Sequence, residues 1–460
     1  VAQQIESRSP QDPTDVVVSA PAATSGQVRA AVDRARVASR EWGTAPAVQR
    51  ATALHAAADA VAGAATELAA LIVREVGKPV GESRGEVARA VAILRYFAQQ
   101  ALDPDGETYP SADGRALLLA RHRPRGTVGL ITPWNFPIAI PLWKAAPALA
   151  FGNAVVLKPA PDASAVAIRL EELVRTVLPD GVLQVVTGSA EAGRALVESV
   201  DAVSFTGSAS VGRLVAVAAA ARGIAAQCEM GGQNPSIVLP DADIEQTAAI
   251  IANAAMGYAG QKCTATSRVI VVGDAAPFTQ ALVAAVEGLA SGDPADEATV
   301  VGPVITEAAR ARVLEAAEAA VGSGGRVLTG ARSGDGDGWF VQPTLVDRVD
   351  AGSPIAQDEV FGPLCALLPA TDVEDALRIA NGVPYGLVAS VFTRDLNTAL
   401  DLAQRLDVGL ARINAPTSGV DFHAPFGGEK DSSYGPREQG KAARDFYTST
   451  RTITIAPAAS

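Results

Sequence analysis

A chain of 460 residues, 48 % apolar and 19 % charged, is long enough for two or three globular domains and too apolar to be disordered. Its formal net charge of −12 argues against a nucleic-acid surface or an anionic membrane as the main partner. Three cysteines, Cys228, Cys263 and Cys365, with no CxxC spacing, give neither a disulfide framework nor a metal site, and point to a reducing compartment, the cytoplasm. No run approaches the ~18 apolar residues needed to span a bilayer, and no secretion leader is expected at Val1.

Residues 1 to about 24 are polar and proline-containing, and are expected to form an extended lead-in. Val28, Ala31, Val32, Ala35 and Ala38 have helical spacing over Ser25 to Glu41, with Ser25 as the expected N-cap. Further helices are expected over Ala45–Val61, Ala65–Val76 and Gly81–Gln100, with Gly77-Lys78-Pro79 as a break. The run Ala116 to Pro124 is strand-like, ends in basic residues, and reads as a protruding arm. From Thr127 the pattern changes. Short apolar strands (Thr127–Thr132, Ala154–Leu157, Leu183–Val186, Ala202–Phe205) alternate with helices (Ile140–Leu149, Ser164–Val177, Ala190–Ser199, Ser208–Arg222), which means a parallel sheet covered on both faces.

A second alternating block starts at Pro235. Its helices are expected near Ile244–Gly257, Ala276–Leu289, Ala308–Ser323 and Val373–Ala380. Its strands are expected near Val269–Val272, Arg326–Leu328, Leu387–Phe392 and Gly409–Asn414. The tail Arg451-Thr452-Ile453-Thr454-Ile455 alternates as a half-buried or edge strand does, and with the arm suggests a small sheet for subunit contact.

In such sheets ligands bind beyond the carboxyl ends of the strands. Asn135 stands there, in the rigid turn Pro133-Trp134-Asn135-Phe136-Pro137, either as a turn residue or as a donor to a developing oxyanion. Thr206-Gly207-Ser208 joins a strand to a helix N-terminus, where free N–H groups favour an anion, although the dinucleotide glycine fingerprint is absent. Lys158 ends its strand as a surface lysine or a contact to ribose or phosphate. Glu229 precedes Gly231-Gly232, as a loop charge or a general base. Glu359-Val360-Phe361-Gly362-Pro363 is a turn, or a carboxylate for a sugar with an aromatic for a ring. Cys263, in Gly260-Gln261-Lys262-Cys263, precedes an apolar strand, as a buried thiol or a nucleophile.

Together and in this order, these segments resemble the aldehyde dehydrogenase superfamily over nearly the whole chain. The matching pieces are Pro133-Trp134-Asn135-Phe136-Pro137, Lys158-Pro159, Phe205-Thr206-Gly207-Ser208, Glu229 with Gly231-Gly232-Gln233-Asn234-Pro235, Gly260-Gln261-Lys262-Cys263, Glu359-Val360-Phe361-Gly362-Pro363 and Pro425-Phe426-Gly427-Gly428. The resemblance implies an α/β fold: a Rossmann-type cofactor domain (1–105 and 125–231), an α/β catalytic domain (232–435), and a small β oligomerisation arm with the C-terminal tail (106–124 and 436–460). It implies a homodimer or homotetramer acting on a small aldehyde. Cys263 would be the nucleophile, Asn135 and the Cys263 N–H the oxyanion donors, and Glu229 the base that hydrolyses a thioester to the acid. Thr132, Pro133, Trp134, Lys158, Pro161, Phe205, Gly207, Ser208, Val211, Glu359 and Phe361 would contact NAD(P). Phe136, Ile140, Trp143, Lys262, Thr264, Phe422 and Phe426 would face the substrate, with the loop Val420-Asp421-Phe422-His423 at its mouth. No metal is implied.

Two departures carry information. Many relatives have a glutamate three residues after the lysine matching Lys158, gripping the adenosine ribose; here Pro161 stands there. Losing a carboxylate lowers repulsion toward a 2′-phosphate, so the cofactor leans toward NADP, while Asp162 keeps NAD admissible. Ser432-Ser433-Tyr434-Gly435-Pro436-Arg437-Glu438-Gln439-Gly440 differs from the commoner Ser-Gly-x-Gly-Arg-Glu form. It is similar to the 2-oxoglutarate semialdehyde (2,5-dioxovalerate) dehydrogenase branch, which implies a short anionic semialdehyde. An anionic tail needs a cationic anchor, which the sequence does not assign. Phosphonate-bearing and aliphatic aldehydes stay open. An acylating enzyme that passes the thioester to coenzyme A is the alternative chemistry, and the presence of Glu229 argues against it.

Overall fold

The computed structural model describes residues 4–458. Two parallel-based sheets organise the molecule. The first has six strands in the order Ser433–Tyr434, Ala225–Glu229, Ala202–Thr206, Thr127–Thr132, Ala154–Pro159 and Leu183–Val185. All pairs are parallel except the edge pair, where Ser433 lies opposite Glu229. The chain enters at Thr127–Thr132, builds outward to one side, then returns to build the other. The switch point lies between Thr127–Thr132 and Ala202–Thr206, and a crevice opens beyond their carboxyl ends.

The second sheet has seven strands, in the order Arg326–Thr329, Thr344–Asp347, Leu364–Ala370, Thr266–Val272, Asn234–Val238, Val388–Phe392 and Leu410–Ile413. Thr344–Asp347 and Leu364–Ala370, and the helix Leu396–Arg405, go beyond the sequence expectation. Leu364–Ala370 carries Pro369 and two alanines, poor strand formers taken up because the strand pairs on both sides.

The third sheet is the arm. Leu117–Pro124 pairs antiparallel with Gly106–Pro110 on one side and Thr448–Ile455 on the other. Residues just before Thr448 pack inward: the helix Ala443–Tyr447 buries Phe446 and Tyr447 in the core. The lead-in is not merely extended, because Gln4–Arg8 pairs with Val16–Pro21 as a hairpin. The first helix spans Ser25–Thr44, and its cap is Thr24, not Ser25. The Thr24 hydroxyl accepts the Gln27 N–H while the Gln27 side chain accepts the Thr24 N–H, a reciprocal capping box. Gly77 takes a left-handed conformation (φ 64°) and ends Ala65–Val76 where expected.

Candidate active site

The loop before Cys263 is strained and tightly held. Tyr258 and Ala259 are left-handed at φ 57° and 52°, and Gly260 follows at 65°. Two non-glycine residues in that region cost on the order of 1–3 kcal/mol each, so the surroundings must enforce the shape. Gln261 does much of this. Its Oε1 accepts the Ile305 N–H at 2.8 Å, its Nε2 donates to the Pro303 carbonyl at 3.2 Å, and its own carbonyl accepts Asn135 Nδ2 at 2.9 Å. A Cβ on Gly260 would lie 2.3 Å from the Gly362 carbonyl oxygen, so only glycine fits. From the other side Asn234 Nδ2 donates to the Cys263 and Ala265 carbonyls, both at 2.8 Å. Cys263 is half-buried, and its position is set from both flanks.

Two donors stand free at this point. Asn135 spends one amide N–H on Gln261, and its other has no partner among the described residues. The Cys263 backbone N–H is likewise unengaged among the described residues. Burial, with Glu359, Glu229 and Glu438 nearby, pushes the Cys263 thiol up to about 12. It is therefore protonated at neutral pH in the free protein and needs a neighbouring positive charge to ionise.

Glu229 ends the strand Ala225–Glu229 and is buried. Its Oε2 accepts the Ser433 hydroxyl at 2.7 Å, and a Cβ on Gly427 would lie 2.8 Å from its Oε1. Burial and then Glu438 hold the carboxyl well above the ordinary range, while Ser433, Lys144 and Arg437 oppose the shift. A carboxyl raised in this way binds a proton more tightly than an ordinary carboxylate, and once ionised it is the stronger base. Behind it lies a fully buried ion pair, Lys144 with Glu438, which also takes in the Ser204 hydroxyl at 2.7 Å from Lys144 Nζ.

The crevice at the switch point of the first sheet has the features of a dinucleotide site. Thr132 Oγ1 and Thr206 Oγ1 flank it, both buried and without a hydrogen-bond partner among the described residues. Orphaned buried hydroxyls are uncommon and fit a bound polar group. Ser208 stands at the N-cap of Ala209–Arg222; its hydroxyl makes no cap bond and faces Ser210 at 3.3 Å, which leaves the helix N–H groups available. Lys158 is buried, donating to the Pro159 and Gly188 carbonyls at 2.5 and 2.8 Å, and burial lowers it to about 8. Glu359 reaches across the Gly231-Gly232 turn, accepting the Gly232 N–H at 3.0 Å; burial raises it to about 7. A side chain on Gly231 would collide with that carboxylate, at 1.9 Å. Phe361 is left-handed (φ 57°) and meets Trp134 edge-on at 5.7 Å between centroids.

A cavity of about 290 Å³ is lined by Phe136, Trp143, Lys262, Cys263, Thr264 and residues of the helix Val80–Gln100. A thiol in the wall of a part-apolar cavity, with Glu359 and Glu229 near it, can take an electrophile held in that cavity.

The profile of the aldehyde dehydrogenase family matches residues 1–453. The chain belongs to the aldehyde dehydrogenase family. It is 40 % identical to the alpha-ketoglutaric semialdehyde dehydrogenase of Bacillus subtilis, over 98 % of this chain and 95 % of that protein. It is 34 % identical to the 2,5-dioxopentanoate dehydrogenase of Saccharolobus solfataricus, over 97 % and 95 %. Among solved structures, the Staphylococcus aureus betaine aldehyde dehydrogenase in complex with NAD+ superposes with a TM-score of 0.96 at 31 % identity, covering 100 % of this chain and 93 % of that one. This chain is an NAD(P)-dependent aldehyde dehydrogenase, which oxidises an aldehyde to the carboxylic acid.

The remaining residues named from the sequence of this aldehyde dehydrogenase divide by position. Pro133 and Trp134 are half-buried beyond Thr132, Phe205 is buried beneath Gly207, and Val211 is exposed on the first turn after Ser208. Pro161 opens a short helical turn after Lys158, beside half-buried Asp162. Of the residues expected at the substrate, Phe136, Trp143, Lys262 and Thr264 line the cavity. Ile140, Phe426 and Phe422 do not. Ile140 is buried in the core because its helix, Ala139–Ala150, is buried along its whole length. Phe426 packs behind Trp143 at 5.7 Å, and Phe422 packs on Tyr96 at the same separation. Lys144, Glu438 and Ser433 were not singled out for roles. A signal existed for Lys144, the one charge in the apolar helix Ala139–Ala150. For Glu438 and Ser433 the signal was the departure from the common motif around them.

Proposed function

We propose that this enzyme oxidises a short semialdehyde bearing a carboxylate to the corresponding dicarboxylic acid. Cys263 attacks the aldehyde carbon. The oxyanion that forms is held by the second Asn135 N–H and the Cys263 backbone N–H. One such donor is typically worth ~3–4 kcal/mol in the transition state. Oxidised NAD(P), once bound, would supply a hydride acceptor and a positive charge. Thr132, Thr206, Ser208, Lys158, Glu359, Phe361 and Trp134 would hold it. Glu229 then takes a proton from the water that opens the Cys263 thioester and releases the acid. The single observation that carries this reading is Cys263 in the wall of the cavity, with Asn135 bonded to the loop that presents it. The likeness to the Bacillus and Saccharolobus semialdehyde dehydrogenases supports the substrate class. Specificity constants across short aldehydes, with and without an acidic terminus, test it; equal values for both series refute the anionic substrate.

The cofactor reading admits NADP at least as readily as NAD. Pro161 offers no carboxylate to the ribose, Lys158 offers a cation, and burial pushes the Asp162 carboxyl upward, toward its neutral form. A strong NAD preference on titrating both cofactors refutes this. The arm sheet carries exposed Tyr109, Leu117 and Ile455 and supports pairing of copies into a dimer or tetramer, which light scattering tests. The unpaired cysteines support a cytoplasmic location.

A further inference from the structure

We propose that Arg89 is the anchor for the substrate's free carboxylate, an assignment that rests on the anionic-aldehyde reading above. The helix Val80–Gln100 runs along the cavity that holds Cys263 and contributes Glu82, Gly85, Glu86 and Arg89 to its lining. The spacing of three, four and seven residues puts all four on one helix face. Charge accounting at this wall singles out one group. Glu86 is bound to buried Lys78 and accepts the Ile138 and Ala139 N–H groups, both at 3.0 Å. Glu82 is bound to Lys262 at 2.7 Å. Lys78 and Lys262 are thereby neutralised. Arg89 is half-buried, lines the same cavity, and has no hydrogen bond, ion pair or aromatic face among the described residues.

An uncompensated guanidinium in a partly desolvated cavity is a strong carboxylate receptor. Its planar fork matches the two oxygens, and charge-assisted bonds are about twice as strong as neutral ones. Phe136 and Trp143 supply apolar lining in the same cavity, suited to methylene groups between the two ends of a substrate. The substrate class is therefore an aldehyde with a carboxylate on a short apolar chain. A cationic aldehyde is repelled, and a neutral one gains nothing from this wall.

The test compares succinic semialdehyde with butanal, and glutaric semialdehyde with pentanal, on the wild type, Arg89→Gln and Arg89→Lys. The wild type is expected to favour the acidic member of each pair. Arg89→Gln should lower kcat/KM for the acidic aldehydes roughly ten- to hundredfold, mainly through KM, and leave the neutral ones within about threefold. Arg89→Lys should recover part of the loss. Unchanged turnover of the neutral aldehydes is the control that the variant is folded. A wild type that prefers acidic aldehydes while Arg89→Gln keeps that preference overturns the assignment and leaves the substrate reading standing. A wild type with no preference overturns both.

Discussion

Glu229→Gln separates the two halves of the reaction. Glutamine matches the volume of the carboxyl in its buried site, and its amide can still accept the Ser433 hydroxyl, so the fold is expected to persist. The carboxyl of the wild type is held well above the ordinary range by burial and by Glu438. A group raised in this way favours folding at low pH, and that contribution is lost as pH rises through its folded-state pKa. The variant should therefore be at least as stable as the wild type at alkaline pH. What it lacks is the base for thioester hydrolysis. A positioned general base contributes typically ~10²–10⁴-fold, or about 3–5 kcal/mol of barrier. Stopped-flow absorbance of the reduced cofactor is the assay. The variant should show a first-turnover burst approaching one equivalent per active site, followed by steady-state turnover lowered by that factor. In the wild type the steady rate should fall as pH drops through the elevated Glu229 pKa, and the variant should lose that limb. Loss of burst and turnover in equal proportion, or a steady rate near that of the wild type, refutes the role.

Cys263 should be slow to alkylate with iodoacetamide in the free enzyme, with a rate rising with pH toward its pKa of about 12, because only the thiolate reacts. Added NAD(P)+ should accelerate the reaction at fixed pH, scored by mass spectrometry; no acceleration contradicts a cofactor-activated thiol. Ser433→Ala removes a hydroxyl that donates to the Glu229 carboxylate and favours its ionised form. The acid limb of steady-state turnover should move to higher pH, and an unmoved limb shows that the bond has no bearing on the base. Lys144→Met leaves Glu438 buried without its cation and should destabilise the fold by about 3–5 kcal/mol. Lys144→Met combined with Glu438→Leu should recover much of that loss in urea unfolding, and strict additivity speaks against coupling of the pair.

Much of the architecture was legible from local pattern. Thr127–Thr132 and Ala65–Val76 fall where apolar periodicity and the Gly77 stop place them, because short buried strands and capped helices are written in neighbouring residues. The Thr24 cap was displaced by one residue because a reciprocal bond with Gln27 outweighs the ordinary preference for serine. Leu364–Ala370 was illegible, since its proline and alanines read as loop until two neighbouring strands supply the pairing. The sequence alone determined the identity and order of the chemical groups: a thiol, an amide, a carboxylate, and turns at the ends of strands. Tertiary structure decided which of these share a space. Glu229 and Ser433 are brought together by an antiparallel edge pair, Asn135 and Gln261 by one hydrogen bond, and Arg89 and Cys263 by a common cavity. Those meetings depend on long-range packing and on which charges are already neutralised, and neither is encoded in local spacing.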